Sequence, residues 1–228
     1  MDGKMLAAEQ AVKLIRDGMT VGLGSGSTAS LAIQKIGERV REGLNIRTVA
    51  TSRKTEKLAR ELSIPVYDPS EIENIDIALD GADEVDTKGN LLKGGGGSLL
   101  REKVIAFASK GFHVMVDQSK LVDRLGRSAL PVEIVPFAAA LTLKHLRALG
   151  CDPHIRQSMG ENFITDNGNL IADCRFQQID EPAWLDVKIK MIPGVIETGL
   201  FSSKIVTSVF VGSNNGGVRE IFISDPNA

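Results

Sequence analysis

Ile75-Asp76-Ile77-Ala78-Leu79-Asp80-Gly81-Ala82-Asp83-Glu84 decides how this chain is read. Its first half is a short apolar run, which predicts a strand buried on both faces, as in parallel sheets. Its second half places Asp80 and Asp83, with Gly81 and Ala82 between them, just past that strand's carboxyl end. In open α/β sheets, ligands bind outside the carboxyl ends of the strands. A solvated acidic turn would have the same composition, since Asp and Gly are also common turn residues.

Upstream, residues 19–23 read as a short strand running into Gly22-Leu23-Gly24-Ser25-Gly26-Ser27-Thr28-Ala29, with a helix over 30–42. Strand, glycine–serine turn and helix together offer backbone amides and hydroxyls to a phosphate. No Lys-Ser or Lys-Thr pair follows the glycines, so this is not a nucleotide P-loop. Glycines at 22, 24 and 26 miss the dinucleotide spacing, and no acidic residue closes the strand at 46–50. A small phosphate fits better. Packing alone would explain the glycines but not the hydroxyls of Ser25, Ser27 and Thr28.

Downstream lies Lys93-Gly94-Gly95-Gly96-Gly97-Ser98-Leu99-Leu100-Arg101-Glu102-Lys103. Glycines let backbone amides approach a ligand closely, and the helix predicted over 98–110 adds its own N-terminal N–H groups. Lys93 and Glu102 supply a cation and a carboxylate, the pair needed to stabilise an oxyanion and to move a proton. A flexible linker before a surface helix is the plainer alternative. The stripe Leu100, Val104 and Phe107 is expected to pack on the sheet, with Glu102 pointing away from it. Lys120 follows the next apolar strand, 112–116, and so also stands past a carboxyl end.

The 228 residues, 43% hydrophobic and 25% charged, suit a soluble globular chain of one or two domains. A net charge of -2 gives no reason to expect nucleic acid or a membrane surface as partner. Cys151 and Cys174 form no redox or metal spacing, and the three histidines are scattered, so no metal and no cofactor are expected. The N-terminal segment is amphipathic, not signal-like, and no apolar run reaches membrane-spanning length, which predicts a cytoplasmic protein.

Helices are expected at 4–17 and 55–62 and a strand at 64–67. From about Arg127 the pattern changes to strand, helix, strand, strand, helix, strand, a ferredoxin-like α+β order. Its central hairpin joins 163–165 to 170–174 through Asp166-Asn167-Gly168-Asn169. Residues 205–211 and 218–223 then regain buried-strand character and are expected back in the first sheet. The fold class is α/β: a Rossmann-like, mainly parallel sheet over 1–127 and 199–228, with a ferredoxin-like α+β domain inserted at 128–198 as a lid.

Four motifs together resemble type A ribose-5-phosphate isomerase along nearly the whole chain. They are residues 24–29, residues 80–84, Lys93-Gly94-Gly95-Gly96 with Arg101-Glu102-Lys103, and Pro193-Gly194-Val195 with Gly199-Leu200-Phe201. Ser98 and Ile192 depart from residues common in the family, Ala and His, and both lie outside the proposed chemistry. The resemblance implies interconversion of ribose 5-phosphate and ribulose 5-phosphate in the non-oxidative pentose phosphate pathway, by a homodimer or homotetramer. It implies Glu102 as the proton-transferring base, Lys93 beside the enediolate oxygens, and Asp80 and Asp83 on the sugar hydroxyls. Ser25, Gly26, Ser27, Thr28, Gly81, Ala82, Gly94, Gly95, Gly96 and Lys120 would complete the substrate contacts. A sugar-phosphate sensor that does not turn its ligand over stays open, although a sensor gains nothing from Glu102. An amino-sugar-phosphate deaminase or a CoA transferase is a further alternative; a deaminase would call for a histidine near the acidic turn, and none lies there.

Overall fold

A computed structural model describes residues 2–223. Met1 and residues 224–228, the end of the expected first domain, lie outside the described residues. The chain forms two compact units, Met1–Ala82 with Arg101–Lys120 and Ser203–Ala228, and Asp83–Leu100 with Leu121–Ser202. The second unit is therefore not confined to the expected 128–198 and takes in the glycine loop.

Helix α1 (Gly3–Val12) is capped by Asp2, whose side chain accepts from the Lys4 amide. Strand β1 (Thr20–Leu23) leads to α2 (Ser27–Arg41), then β2 (Arg47–Ala50), α3 (Arg53–Glu61) and β3 (Ile77–Asp80). Short strands β4 (Glu84–Val85) and β5 (Leu91–Leu92) precede α4 (Leu99–Ala108) and β6 (Phe112–Asp117). Next come β7 (Leu130–Ile134), α5 (Ala139–Arg147), β8 (Asp152–Ile155), β9 (Gln157–Ser158), β10 (Glu161–Asn162) and β11 (Leu170–Arg175). Helix α6 (Pro182–Lys190), β12 (Val195–Thr198), β13 (Leu200–Phe201), β14 (Ser208–Gly212) and β15 (Val218–Phe222) complete the order.

The first unit is built on a six-stranded sheet, β15-β14-β6-β3-β1-β2, parallel except for the β14–β15 pair. From β1 the chain moves outward to β2 and then returns across β1 to β3. That reversal is a topological switch point, where doubly wound sheets open a crevice at their carboxyl ends. Alanines and branched side chains of α1 and α2, among them Ala7, Ala11, Ile33 and Ile36, pack with Leu23, Leu79, Met115 and Phe210. In the second unit β12-β7-β11-β8 form an antiparallel sheet in ferredoxin-like order, and β13-β5-β4 form a smaller one. Leu130, Val132, Ile134, Leu146, Leu185 and Ile189 fill that unit's core.

Three strand expectations need correction. Residues 64–67 make only an isolated bridge, Thr48↔Val66, because Pro65 supplies no amide to extend a ladder. The hairpin at 163–174 has strand β11 on one side only: the turn closes through Thr165 N–H donating to Asn169 O at 2.9 Å, and Ile164 makes a lone bridge to Leu170. β15 returns to the first sheet as expected, but as an antiparallel edge strand that is largely exposed.

Candidate functional site

The first unit gathers its polar groups at the carboxyl ends of β1 and β3. The Gly24 amide donates to Leu79 O at 2.9 Å, tying the two strand ends together. A Cβ on Gly24 would overlap the Asp80 carboxylate, so glycine is demanded there by close approach. Asp80 is buried, and its Oδ1 accepts from the amides of Ser25 at 3.0 Å and Gly81 at 2.7 Å. The Ser25 hydroxyl lies among Thr51 Oγ1 at 2.8 Å, Ser52 Oγ at 2.9 Å and Thr55 Oγ1 at 3.1 Å. Ser25 thus serves the turn's own framework. Gly26, at φ 97°, turns the chain into α2 and leaves Gly26 and Ser27 exposed. Thr28 faces the acidic turn, with its Cβ 3.6 Å from where a Cβ on Gly81 would stand. Ala82 ends this unit's share of the acidic turn.

Two lysines converge on Asp117, at the carboxyl end of β6. Lys4 Nζ lies 4.0 Å from Asp117 Oδ2 and 3.4 Å from Ser27 Oγ. Burial pushes the Asp117 carboxyl up, but the Ser119 hydroxyl and amide and the charges of Lys4 and Lys120 outweigh it, holding the group below the usual carboxylate range. Lys4 escaped sequence reading, because nothing in the spacing links the first helix to positions 27 and 117.

Helix α4 lies on β1 at Gly22, where an added Cβ would overlap the Ile105 side chain. Its last turn leads to Ser109, which bridges Ile75 ahead of β3, so the helix runs from the carboxyl to the amino side of the sheet. Glu102, one turn before Ile105 on the same face, therefore stands toward the carboxyl ends and is only 6% exposed. The expected apolar stripe faces outward: Val104 is 57% and Phe107 76% exposed. The helix buries Leu99, Glu102, Ile105 and Ala106 instead.

In the second unit, Lys93 is buried, its amide donates to Gly199 O at 2.8 Å, and its ammonium lies 5.5 Å from the Phe201 ring centroid. Gly94 at φ 104° and Gly97 at φ 81° give the loop its two left-handed bends. Asp83 Oδ2 accepts the Gly95 amide at 2.8 Å, while Gly95 and Gly96 are exposed. Neighbouring Glu84 is wholly buried and accepts from the amides of Gly126 at 2.9 Å, Arg127 at 3.3 Å and Ser128 at 2.5 Å. It clamps the segment entering β7. Among the described residues no cluster of His, Cys, Asp and Glu is arranged to hold a metal ion, and no helix is long and apolar enough to cross a membrane.

The sequence model of ribose 5-phosphate isomerase A (phosphoriboisomerase A) matches residues 47–216. Ribose-5-phosphate isomerase A of Bacillus mycoides (strain KBAB4) is 49% identical over 217 residues, covering 95% of this chain and 98% of that protein. The chain belongs to the ribose 5-phosphate isomerase A family. Its fold agrees: the solved isomerase A of Methanocaldococcus jannaschii superposes with a TM-score of 0.91 at 41% identity, over 96% of this chain and 97% of that one. A D-ribose-5-phosphate isomerase solved in complex with phospho-erythronic acid superposes at 0.92 with 38% identity, over 97% of this chain and 100% of that one.

Proposed function

We propose that this chain interconverts D-ribose 5-phosphate and D-ribulose 5-phosphate through an enediolate, with Glu102 as the base. Glu102 takes the C2 proton of the open-chain aldose, the electron pair forms a C1–C2 double bond, and O1 gains the negative charge. Returning the proton to C1, while the O2 hydrogen passes to O1, leaves the ketose. Lys93 and the loop amides of Gly94 and Gly96 stabilise the charged oxygens, while the Gly95 amide is tied to Asp83. Asp80, through Oδ2, and Asp83 accept from sugar hydroxyls. The amides and hydroxyls of Gly26, Ser27 and Thr28, with Lys4 and Lys120, bind the phosphate, and the ferredoxin-like insertion acts as a lid. A homodimer or homotetramer in the cytoplasm is the working form, and the exposed Val104 and Phe107 support such an assembly.

The observation that carries this reading is Glu102, a carboxylate held on the buried face of α4 and directed toward the carboxyl ends of a parallel sheet in a chain of this family. Glu102→Gln keeps the size of the side chain and removes the basic oxygen. Turnover of ribose 5-phosphate should fall by at least ~10²-fold with KM nearly unchanged, and solvent deuterium incorporation at C1 and C2 should fall with it. Near wild-type turnover by this variant would transfer the role to Asp80 or Asp83.

A further inference from the structure

The residue that organises the glycine loop lies far from it in sequence. Arg156 follows β8, and its guanidinium reaches back to the loop. Nη1 donates to Gly94 O at 2.9 Å and to Gly95 O at 2.9 Å. Nε and Nη2 donate to the two oxygens of Asp173, at 2.9 Å and 2.5 Å. The guanidinium carbon lies 5.9 Å from the Phe163 ring centroid, and that ring fills the space a Cβ on Gly97 would need. Backbone bonds hold this assembly from behind: Arg156 N–H donates to Ile171 O at 2.8 Å, and Phe163 N–H donates to Arg156 O at 2.9 Å. The Arg156 side chain is 15% exposed. An arginine serving only as an ion-pair partner would need Asp173 alone. Here Nη1 donates to two consecutive carbonyls.

Those carbonyls determine where the amides point. A trans peptide is planar, with its C=O and N–H directed to opposite sides, and none of the described peptides is cis. The peptide joining Gly94 to Gly95 is held at both edges, its carbonyl by Arg156 and its N–H by Asp83 Oδ2. The next peptide gives its carbonyl to Arg156, so the Gly96 N–H faces away from the guanidinium. Gly96 is exposed there, with no atom within 4 Å of an added Cβ.

We propose that Arg156 is a positioning residue for isomerisation, braced by Asp173, which sets the glycine-loop peptides so that the Gly96 N–H donates to a charged oxygen of the substrate. This rests on the function proposed above. Lysine cannot replace it, since an ammonium lacks the planar fork that serves a carboxylate and two carbonyls together.

The test is Arg156→Lys, read by steady-state kinetics with ribose 5-phosphate and by hydrogen exchange of the peptide covering residues 94–97. Loss of orientation at the loop should lower kcat by ~10- to 10²-fold while KM stays within about twofold, and should quicken exchange in that peptide. A purely structural role would lower the active fraction or the melting temperature without this split or this localised exchange. Wild-type kcat, or unchanged exchange across 94–97, overturns the proposal. Should Arg156→Lys not fold, Asp173→Asn carries the same readings with smaller changes of the same sign, and no change in that variant overturns the proposal. If the wild-type protein itself fails to isomerise ribose 5-phosphate, the functional reading falls, while the exchange comparison still decides whether Arg156 holds the loop.

Discussion

The turn at residues 24–26 and the loop at residues 94–97 are both rich in glycine and both run into a helix, yet they are held in different ways. The turn at 24–26 is fixed by the strand ends beside it: Asp80 on the adjoining strand, and the hydroxyls of Thr51, Ser52 and Thr55 after the next one. The loop at 94–97 is held at one amide by Asp83 and otherwise by Arg156, Phe163 and Asp173, which arrive about sixty to eighty residues later in the chain. At Gly24, packed against a strand end, there is no room for an added atom. A loop braced by one long side chain and a half-buried ring has more room to yield.

The largest difference should appear when a methyl group is added to each. Gly24→Ala drives a Cβ into the Asp80 carboxylate, which two amides hold in place, so it should destabilise the protein by about 1–3 kcal/mol and abolish most activity. Gly97→Ala meets the edge of the Phe163 ring, which can swing aside, and should cost about 1 kcal/mol, mainly from its positive φ. Urea unfolding of both variants checks the ranking, and equal losses would break the comparison.

A smaller effect should separate binding from chemistry at the turn. Thr28→Ala removes a hydroxyl that stands beside Gly81 without disturbing the Ser25 cluster. KM for ribose 5-phosphate should rise about tenfold, the loss of one hydrogen bond to a charged group, with kcat changed less. An unchanged KM would place the phosphate elsewhere.

The smallest predicted effect belongs to the amino end of the first unit's sheet. Burial pushes His113 down to about 4, while its Nδ1 pairs with Ser208 Oγ at 2.9 Å, and Ser208 donates to Glu220 at 2.8 Å. The unfolded chain takes up this proton near the ordinary value of 6.5. The stabilising contribution of neutral His113 is therefore complete above pH 6.5 and is lost as pH falls toward 4. His113→Gln should flatten the decline of the urea midpoint across that window. A decline as steep as the wild type's would remove His113 as its source.

Much of the architecture was legible because its causes are local. Short runs such as Ile77-Ala78-Leu79 are apolar throughout, as strands covered on both faces must be. Gly24, Gly26 and the hydroxyls around them declared a strand–turn–helix within ten residues. Helix α4 departs from its apolar periodicity for a physical reason. Apolar periodicity finds the core face only where that face is the most apolar, and here a carboxylate, Glu102, occupies it. Leu100, Val104 and Phe107 consequently made the outward face look like the inward one.

By itself, the sequence determined the alternation of strands and helices and the family, because short runs of adjacent residues carry both signals. Only the tertiary structure decided which face of α4 is buried, that Lys4 joins Lys120 at Asp117, that Glu84 clamps a distant segment, and that Arg156 sets the loop peptides. Those pairings link residues tens of positions apart. A charged side chain's role follows from the partners that folding brings within hydrogen-bonding distance, and periodicity carries no record of them.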